Sequence, residues 1–409
     1  MRRKLTTIGI VLLIIGFVVA LYFIFFASSA SVTVAPTGSV SFPTSGQIPS
    51  SGTEEPEDLP GQTGAPTIIS ARLVKISKGP VVPGQAVLNV KTSLATSTTA
   101  STTSNGSDVA VNYIERQSGN VFTYLVGAGS ITRTNNQTVP GIQSASWISD
   151  ASFAFVRYLS GDDFSTINTY ALPKSGSDGF FLPQNLADIA VSSTNLLTLA
   201  SGVNGSVASL ERLDGTRASQ VFTTPLSSLR VSFAGKSQYL AYTKPSAALY
   251  GDAFIVNGAG HFFRIAGPLN GLVALSSKSG KWTLVSYTSD NNSMQMELVN
   301  TTTGDTVSLP VATIADKCVW TADDSAVYCG VPVDPPSDYA YPDDWYQGVA
   351  HFSDRIWKID VLGRYAQLVL DFPSETDSSL DVESLAVDPM NTELVFTNKN
   401  DGSLWGFSL

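Results

Sequence analysis

The chain has 409 residues with 34 acidic and 24 basic side chains, a formal charge of −10. Arg2, Arg3 and Lys4 precede the first apolar run, so residues 27–409 keep 21 basic against 34 acidic side chains, a net −13. A surface of that sign repels phosphate backbones and anionic lipid, which excludes nucleic-acid binding.

Only 14% of the residues are charged, while Ser, Thr, Gly, Val and aromatics abound. Such a composition favours short strands and turns over helices. In chain order, a basic tail (1–7) leads into residues 8–26, an uninterrupted run of 19 residues without a charge. As a helix that run is about 28 Å long, matching a hydrocarbon core of about 30 Å. The basic residues before it predict a cytoplasmic N-terminus and a single-pass signal anchor. A cleaved signal peptide is the rival reading, with Ser28-Ser29-Ala30 as its small-residue cut site. Residues 27–66, rich in Ser, Thr, Gly and Pro, read as a linker that buries too little apolar surface to order itself.

The folded part is expected over 67–409. From about residue 140 an apolar strand, a short polar turn and a second apolar strand recur, as in SASWISDASFAFVRY (144–158) and ESLAVDPMNTELVFTN (383–398). The last residues of the first strands fall at 147, 191, 232, 275, 320 and 387, spaced by 44, 41, 43, 45 and 67. A period of about 40–45 residues with alternating strands marks a β-propeller with four strands per blade. Seven blades are predicted; six or eight also fit, because 67–140 matches the repeat least clearly. The final blade ends one strand short at Leu409, and residues 68–76 (IISARLVKI) are expected to pair with 403–408 and close the ring. The tract 92–107 (TSLATSTTASTTSNGS) reads as a low-complexity loop.

The hairpins resemble the WD40-like repeat of the TolB and dipeptidyl-peptidase IV propellers, through Trp147-Ile148-Ser149-Asp150 and Trp320-Thr321-Ala322-Asp323. The remaining turns are degenerate in sequence. KCVW (317–320), YPDDWYQG (341–348), FSDRIWKID (352–360) and FTNKNDGSLW (396–405) are similar to those of a group of bacterial membrane-anchored propellers. That resemblance implies a fold and a location outside the cytoplasm, and carries no activity with it.

Cys318 and Cys329 are the only cysteines and lie on the two strands of one hairpin. Their numbers and those of Trp320 and Val327 have the same sum, so the cysteines should sit directly opposite each other, within reach of a disulfide. Two packed thiols are the alternative. The longest interval carries an insertion, residues 332–352 (PVDPPSDYAYPDDWYQGVAHF), rich in carboxylates and aromatics. Asp338, Tyr341, Asp343, Asp344, Trp345 and Tyr346 of this stretch are candidate ligand-binding residues, with Asp162, Asp163 and Tyr250 from loops at the same end of the ring. The alternative is that the aromatics cover the core and the acids cap turns. Carboxylates so grouped could hold Ca²⁺, but no EF-hand spacing is present, and no cofactor is expected.

Catalytic signatures are scarce. There is no Gly-x-Ser-x-Gly elbow, and His261 and His351 stand far apart with no zinc-ligand spacing. The expectation is a membrane-anchored extracytoplasmic scaffold that binds an envelope protein, peptide or glycan. The alternatives are a propeller-type glycan lyase or hydrolase, using Asp162 and Asp163 with Asp343 and Asp344 in the funnel, and a structural assembly factor.

Overall fold

The computed structural model describes residues 65–93, 105–175, 178–289 and 292–409. The basic tail, the apolar run 8–26, almost all of the linker and the middle of the 92–107 tract lie outside the described residues. Among the described residues, no helix is long and apolar enough to cross a membrane.

The architecture is all-β, in six antiparallel sheets. The chain enters through β1 (Thr67–Ile68) and β2 (Leu73–Lys75). The first sheet runs β3 (Ala86–Ser93), β4 (Asn105–Ile114), β5 (Val121–Leu125), β6 (Ser130–Asn135). The second is β7 (Ile142–Trp147), β8 (Phe153–Ser160), β9 (Thr166–Pro173), β10 (Phe180–Phe181). The third is β11 (Leu186–Val191), β12 (Asn195–Gly202), β13 (Gly205–Arg212), β14 (Ser219–Thr224). The fourth has seven strands: β15 (Leu229–Phe233), β16 (Gln238–Thr243), β17 (Tyr250–Asn257), β18 (Phe262–Ser276), β19 (Trp282–Thr288), β20 (Met294–Asn300) and β21 (Thr306–Ser308). The fifth, β22 (Cys318–Trp320), β23 (Ala326–Pro332), β24 (Asp354–Asp360) and β25 (Tyr365–Asp371), carries the insertion between β23 and β24, with a short helix α1 (Asp343–Tyr346). After a second short helix, α2 (Phe372–Glu375), come β26 (Val382–Val387), β27 (Glu393–Asn398) and β28 (Leu404–Ser408) of the closing sheet. That sheet is ordered β1-β2-β28-β27-β26.

The closing pairing is the one expected, with a difference at its edge. Leu73 faces Phe407 and Lys75 faces Trp405, but residues 67–68 fold back as a fifth strand, placing Ile68 beside Val74. The expectation that 68–76 pairs with 403–408 as one strand is thereby corrected at its start. The low-complexity tract is also corrected at both ends, because Thr92 and Ser93 pair with Gly106 and Asn105.

Hydrogen bonds then run from sheet to sheet around a closed circuit. Trp147 Nε1 donates to Gly84 O at 3.1 Å, and Arg157 Nη2 to Leu186 O at 2.5 Å. Val231 N donates to Asp188 Oδ2 at 2.9 Å, and Trp320 Nε1 to Leu275 O at 3.2 Å. Val382 N donates to Asp354 Oδ2 at 2.6 Å, and Gln85 Nε2 to Val395 O at 2.9 Å, which returns to the first sheet. The second strands β23 and β27 are buried along their whole length, whereas the outer strands β6, β14 and β25 are half exposed. Burial on both faces is why the second strands read as continuous apolar runs.

The turns that diverge in sequence keep one geometry. Ala151, Gly280, Asp324 and Asn391 each have a positive φ (51°, 77°, 60° and 57°). Each donates its N–H to the carbonyl three residues earlier, at 2.9–3.3 Å. The hairpin turn is thus held by backbone conformation where its residues have drifted. Cys318 and Cys329 face each other and form a disulfide. Cys318→Ala should cost up to roughly 3 kcal/mol by loop closure, read as a lowered denaturation midpoint. A midpoint equal to that of the oxidised parent would contradict this.

Glu393, on β27, is 6% exposed. Burial, opposed by the Ser408 hydroxyl bond and reinforced by Asp388, pushes its carboxyl from 4.5 up to about 7. The folded state therefore binds a proton more tightly than the unfolded chain. Its contribution is fully present below the unfolded value and is lost as pH rises from 4.5 through about 7. Over that window stability should fall by roughly 3 kcal/mol from this group, and Glu393→Gln should flatten the slope. Unfolding midpoints measured at pH 5 and pH 8 decide it; an unchanged slope in the variant would contradict the assignment.

Candidate functional site

Strand direction puts the β23–β24 insertion at the same end of the ring as the β8–β9 and β16–β17 loops. At that end the insertion lies across its neighbours. Thr288 Oγ1 donates to Tyr341 O at 2.9 Å, and Asn292 Nδ2 to Tyr339 O at 2.6 Å. Gly271, at φ 62°, lies beneath it; a Cβ there would come within 2.7 Å of Tyr341 O. Ala247 N, in the β16–β17 loop, donates to Asp343 Oδ2 at 3.1 Å.

The aromatics divide between core and surface. Tyr341 and Trp345 are only 2% and 1% exposed and belong to the main apolar core, which corrects their place on a binding rim. The Tyr341 hydroxyl donates to Pro336 O at 2.7 Å, and burial, with Tyr339 and the Asp338 and Asp344 charges, pushes it up to about 12. Tyr250 and Tyr346 are 69% and 37% exposed. The acids serve as turn caps: Asp344 accepts from Ala340 N at 2.7 Å, and Asp163 from Ser165 N at 3.1 Å. Asp162 and Asp338 are exposed on their loops. No described contact joins Asp162 or Asp163 to Asp343 or Asp344.

Beneath α1 lies a cluster that the residue-by-residue reading did not find. Lys317 Nζ stands 2.8 Å from Asp354 Oδ2 and also binds Asp381 Oδ1, with all three side chains fully buried. Trp345 Nε1 donates to both Asp381 oxygens at 3.1 Å, and Phe352 N donates to Asp381 Oδ2 at 3.0 Å. Asp381 N donates to Asn398 Oδ1 at 2.9 Å, while Lys399 Nζ lies 4.6 Å from the Trp345 ring and 3.1 Å from Glu383 Oε1. Burial pushes Asp354 up to about 6 against the pull of Lys317, with Asp381 adding to the rise. Its Oδ1 has no partner among the described residues. The four motifs that carry the family resemblance meet here, contributing Lys317, Trp345, Phe352 with Asp354, and Asn398 with Lys399. That resemblance was the available signal.

On its other side α1 reaches across the ring. The Tyr346 hydroxyl donates to Asp316 Oδ2 at 2.8 Å, and Arg230 Nη1 donates to the same oxygen at 2.6 Å. Arg230 stands over Tyr242, and burial raises the Tyr242 hydroxyl well above the usual range. Asp316 and the flanking Coulombic partners hold Arg230 firmly charged. The helix is therefore tied at one edge to β15 and at the other to the segment before β26, strapping this end of the channel.

Among the described residues, the opposite end is open. A cavity of about 810 Å³ is lined by the turns that follow β7, β11, β15 and β18. Its wall includes Trp147, Phe233, Lys236 and Lys278, seven Ser or Thr side chains, and no carboxylate.

No protein-family model and no curated protein matches the sequence. Solved structures do. An oligogalacturonate lyase from Vibrio parahaemolyticus superposes with a TM-score of 0.53 at 9% identity, over 85% of this chain and 96% of the lyase. An oligogalacturonate lyase in complex with manganese gives 0.50 at 9% identity, over 80% and 98% of the two chains. Kuenenia stuttgartiensis hydrazine synthase gives 0.50 at 10% identity, over 73% and 92%. The fold is a β-propeller.

The resemblance of the hairpins to the WD40-like propellers is accordingly one of fold. Identities of 9–10% carry no activity across. The manganese belongs to the lyase complex; among the described residues of this propeller, no group of three or more His, Cys, Asp and Glu is arranged to hold a metal ion. His261 and His351 are both exposed.

Proposed function

We propose that the chain is an extracytoplasmic ligand-binding scaffold, a seven-bladed propeller carried on the 8–26 anchor and the 27–66 linker. The count of seven takes β18 as the outer strand of one blade and the inner strand of the next. Its ligand is an envelope or extracellular protein, peptide or glycan. The observation that supports this reading is the asymmetry of the channel. At the strapped end the carboxylates of Asp188, Asp316 and Asp381 are committed to Arg157, Arg230, Lys317 and main-chain donors. At the other end a cavity of about 810 Å³ presents hydroxyls and aromatic rings, the size and character of a ligand pocket. The alternative, a lyase or hydrolase using paired funnel carboxylates, finds Asp163 and Asp344 capping turns and Asp343 bonded to the β16–β17 loop.

Ser193 lines the cavity, is exposed and makes no described side-chain contact, so Ser193→Trp fills the mouth without removing an interaction. Membrane vesicles bearing the full chain should capture labelled envelope polymers, and Ser193→Trp should abolish the capture while Tyr250→Ala leaves it intact. The reverse pattern would move the binding surface to the strapped end and overturn the assignment.

A further inference from the structure

We propose that the open mouth takes an anionic oligosaccharide, its carboxylates held by Lys236 and Lys278; this rests on the ligand-binding reading above and names the ligand class. The first argument is charge. Residues 27–409 carry a net −13, yet no Asp or Glu among the described residues lines the cavity. Lys236 and Lys278 are exposed and in no ion pair among the described residues. Two uncompensated cations in a concave site of an acidic protein focus a local positive field that attracts anions.

The second argument is construction. The turns bearing the two lysines abut, and glycines permit the contact. Gly235 (φ 75°) and Gly280 (φ 77°) pack backbone to backbone. A Cβ at 235 would stand 2.3 Å from Ser279 O, and one at 280 would stand 2.5 Å from Ala234 O. Asp324 is the nearby carboxylate, and it is committed to main-chain donors, accepting from Lys278 N at 2.8 Å and Ser279 N at 3.0 Å. It fixes the turn that carries Lys278.

The third argument is the rest of the wall. Trp147 donates its indole N–H to Gly84 O, and its ring, like that of Phe233, lines the cavity. The Ser193 and Ser232 hydroxyls have no hydrogen-bond partner among the described residues and offer donors and acceptors to a ligand. Inorganic phosphate would use the lysines alone, and an acidic peptide would leave the hydroxyls underused. A sugar acid engages all three: carboxylates with ammonium groups, hydroxyls with hydroxyls, and the apolar ring face with aromatic carbon.

The test is calorimetric titration of the full-length chain in detergent micelles. The probes are tetramers of galacturonate, glucuronate and mannuronate, the same tetramers with carboxylates reduced to alcohols, tetraglutamate and inorganic phosphate. At least one uronate tetramer should bind about tenfold or more tighter than its reduced form and than tetraglutamate or phosphate. Replacing both lysines by Gln should weaken that binding by about tenfold or more, with unchanged melting to show that the fold is kept. Equal affinity for the reduced tetramer, equal affinity for tetraglutamate or phosphate, indifference to the double Gln variant, or no uronate binding at about 10 mM would each overturn the proposal. If envelope capture is still blocked by Ser193→Trp in such a case, the ligand class alone is wrong. Capture indifferent to Ser193→Trp overturns the binding reading itself.

Discussion

Lys317→Met should destabilise the propeller by roughly 3–5 kcal/mol, because removing one partner strands buried charge. Lys317, Asp354 and Asp381 are all fully buried, and the ammonium group is the cation both carboxylates contact. Without it, two carboxylates face each other at low dielectric, and they can relieve the conflict only by binding a proton. The sign of the pH dependence follows. Asp354 is already pushed up to about 6 with Lys317 present, so the folded state takes up its proton more readily than the unfolded chain. Loss of the lysine strengthens that preference. The variant should therefore be most impaired at pH 8 and recover part of its stability toward pH 5. A triple replacement, Lys317→Met with Asp354→Asn and Asp381→Asn, should restore much of the loss, since a neutral set leaves no uncompensated charge. Denaturant midpoints of the three proteins at both pH values measure this. A single variant as stable as the parent at pH 8 would refute the argument.

The cluster also marks where the sequence stops being readable. The propeller could be read because its signal is local: buried second strands give apolar runs, the hairpin turns recur, and the period is nearly constant. The disulfide was legible for the same reason, since pairing within one hairpin reduces to arithmetic on residue numbers. Asp354 opens β24, while Lys317 and Asp381 lie in the segments just before β22 and β26, and no local pattern says that their side chains converge. Only the motif resemblance flagged these stretches, without giving their meaning. The insertion was legible in composition but not in orientation. Trp345 and Tyr341 look alike, as sequence, whether they face solvent or core; the choice was made by Asp381, which binds the indole N–H, and by the Tyr341 carbonyl over Gly271. The cavity went unpredicted because Ser, Lys and Gly in four turns are ordinary turn residues until the ring brings them together.

A chain starting at residue 80 should be at least about 5 kcal/mol less stable than one starting at residue 66, because it loses the strand that closes the ring. Leu73 and Ile76 are 0% and 1% exposed, packed respectively with Phe407 and Trp405 and with Val395 and Leu404. Burying two such side chains contributes roughly 1.5–3 kcal/mol each. The polar contacts add to this: Ile76 N donates to Leu404 O at 2.8 Å, Ser408 N to Arg72 O at 2.9 Å, and Arg72 Nε to Ser408 O at 2.8 Å. Lys75 pairs with Asp401 at 3.0 Å, and Arg72 lies 4.5 Å from the Phe407 ring. Both of those contacts are at the surface and should matter less than the apolar pair. Leu73→Ala in the longer chain isolates the core contribution and should cost about 2–5 kcal/mol. Removing the whole strand does something the point variant does not. It exposes the edge of β28, whose free N–H and C=O groups can pair with another molecule, so the shorter chain should also associate as its concentration rises. A synthetic peptide of residues 66–80 should bind the shorter chain, suppress that association and raise its melting temperature. Equal melting temperatures for the two chains, with no response to the peptide, would mean that the ring does not depend on β2 for closure.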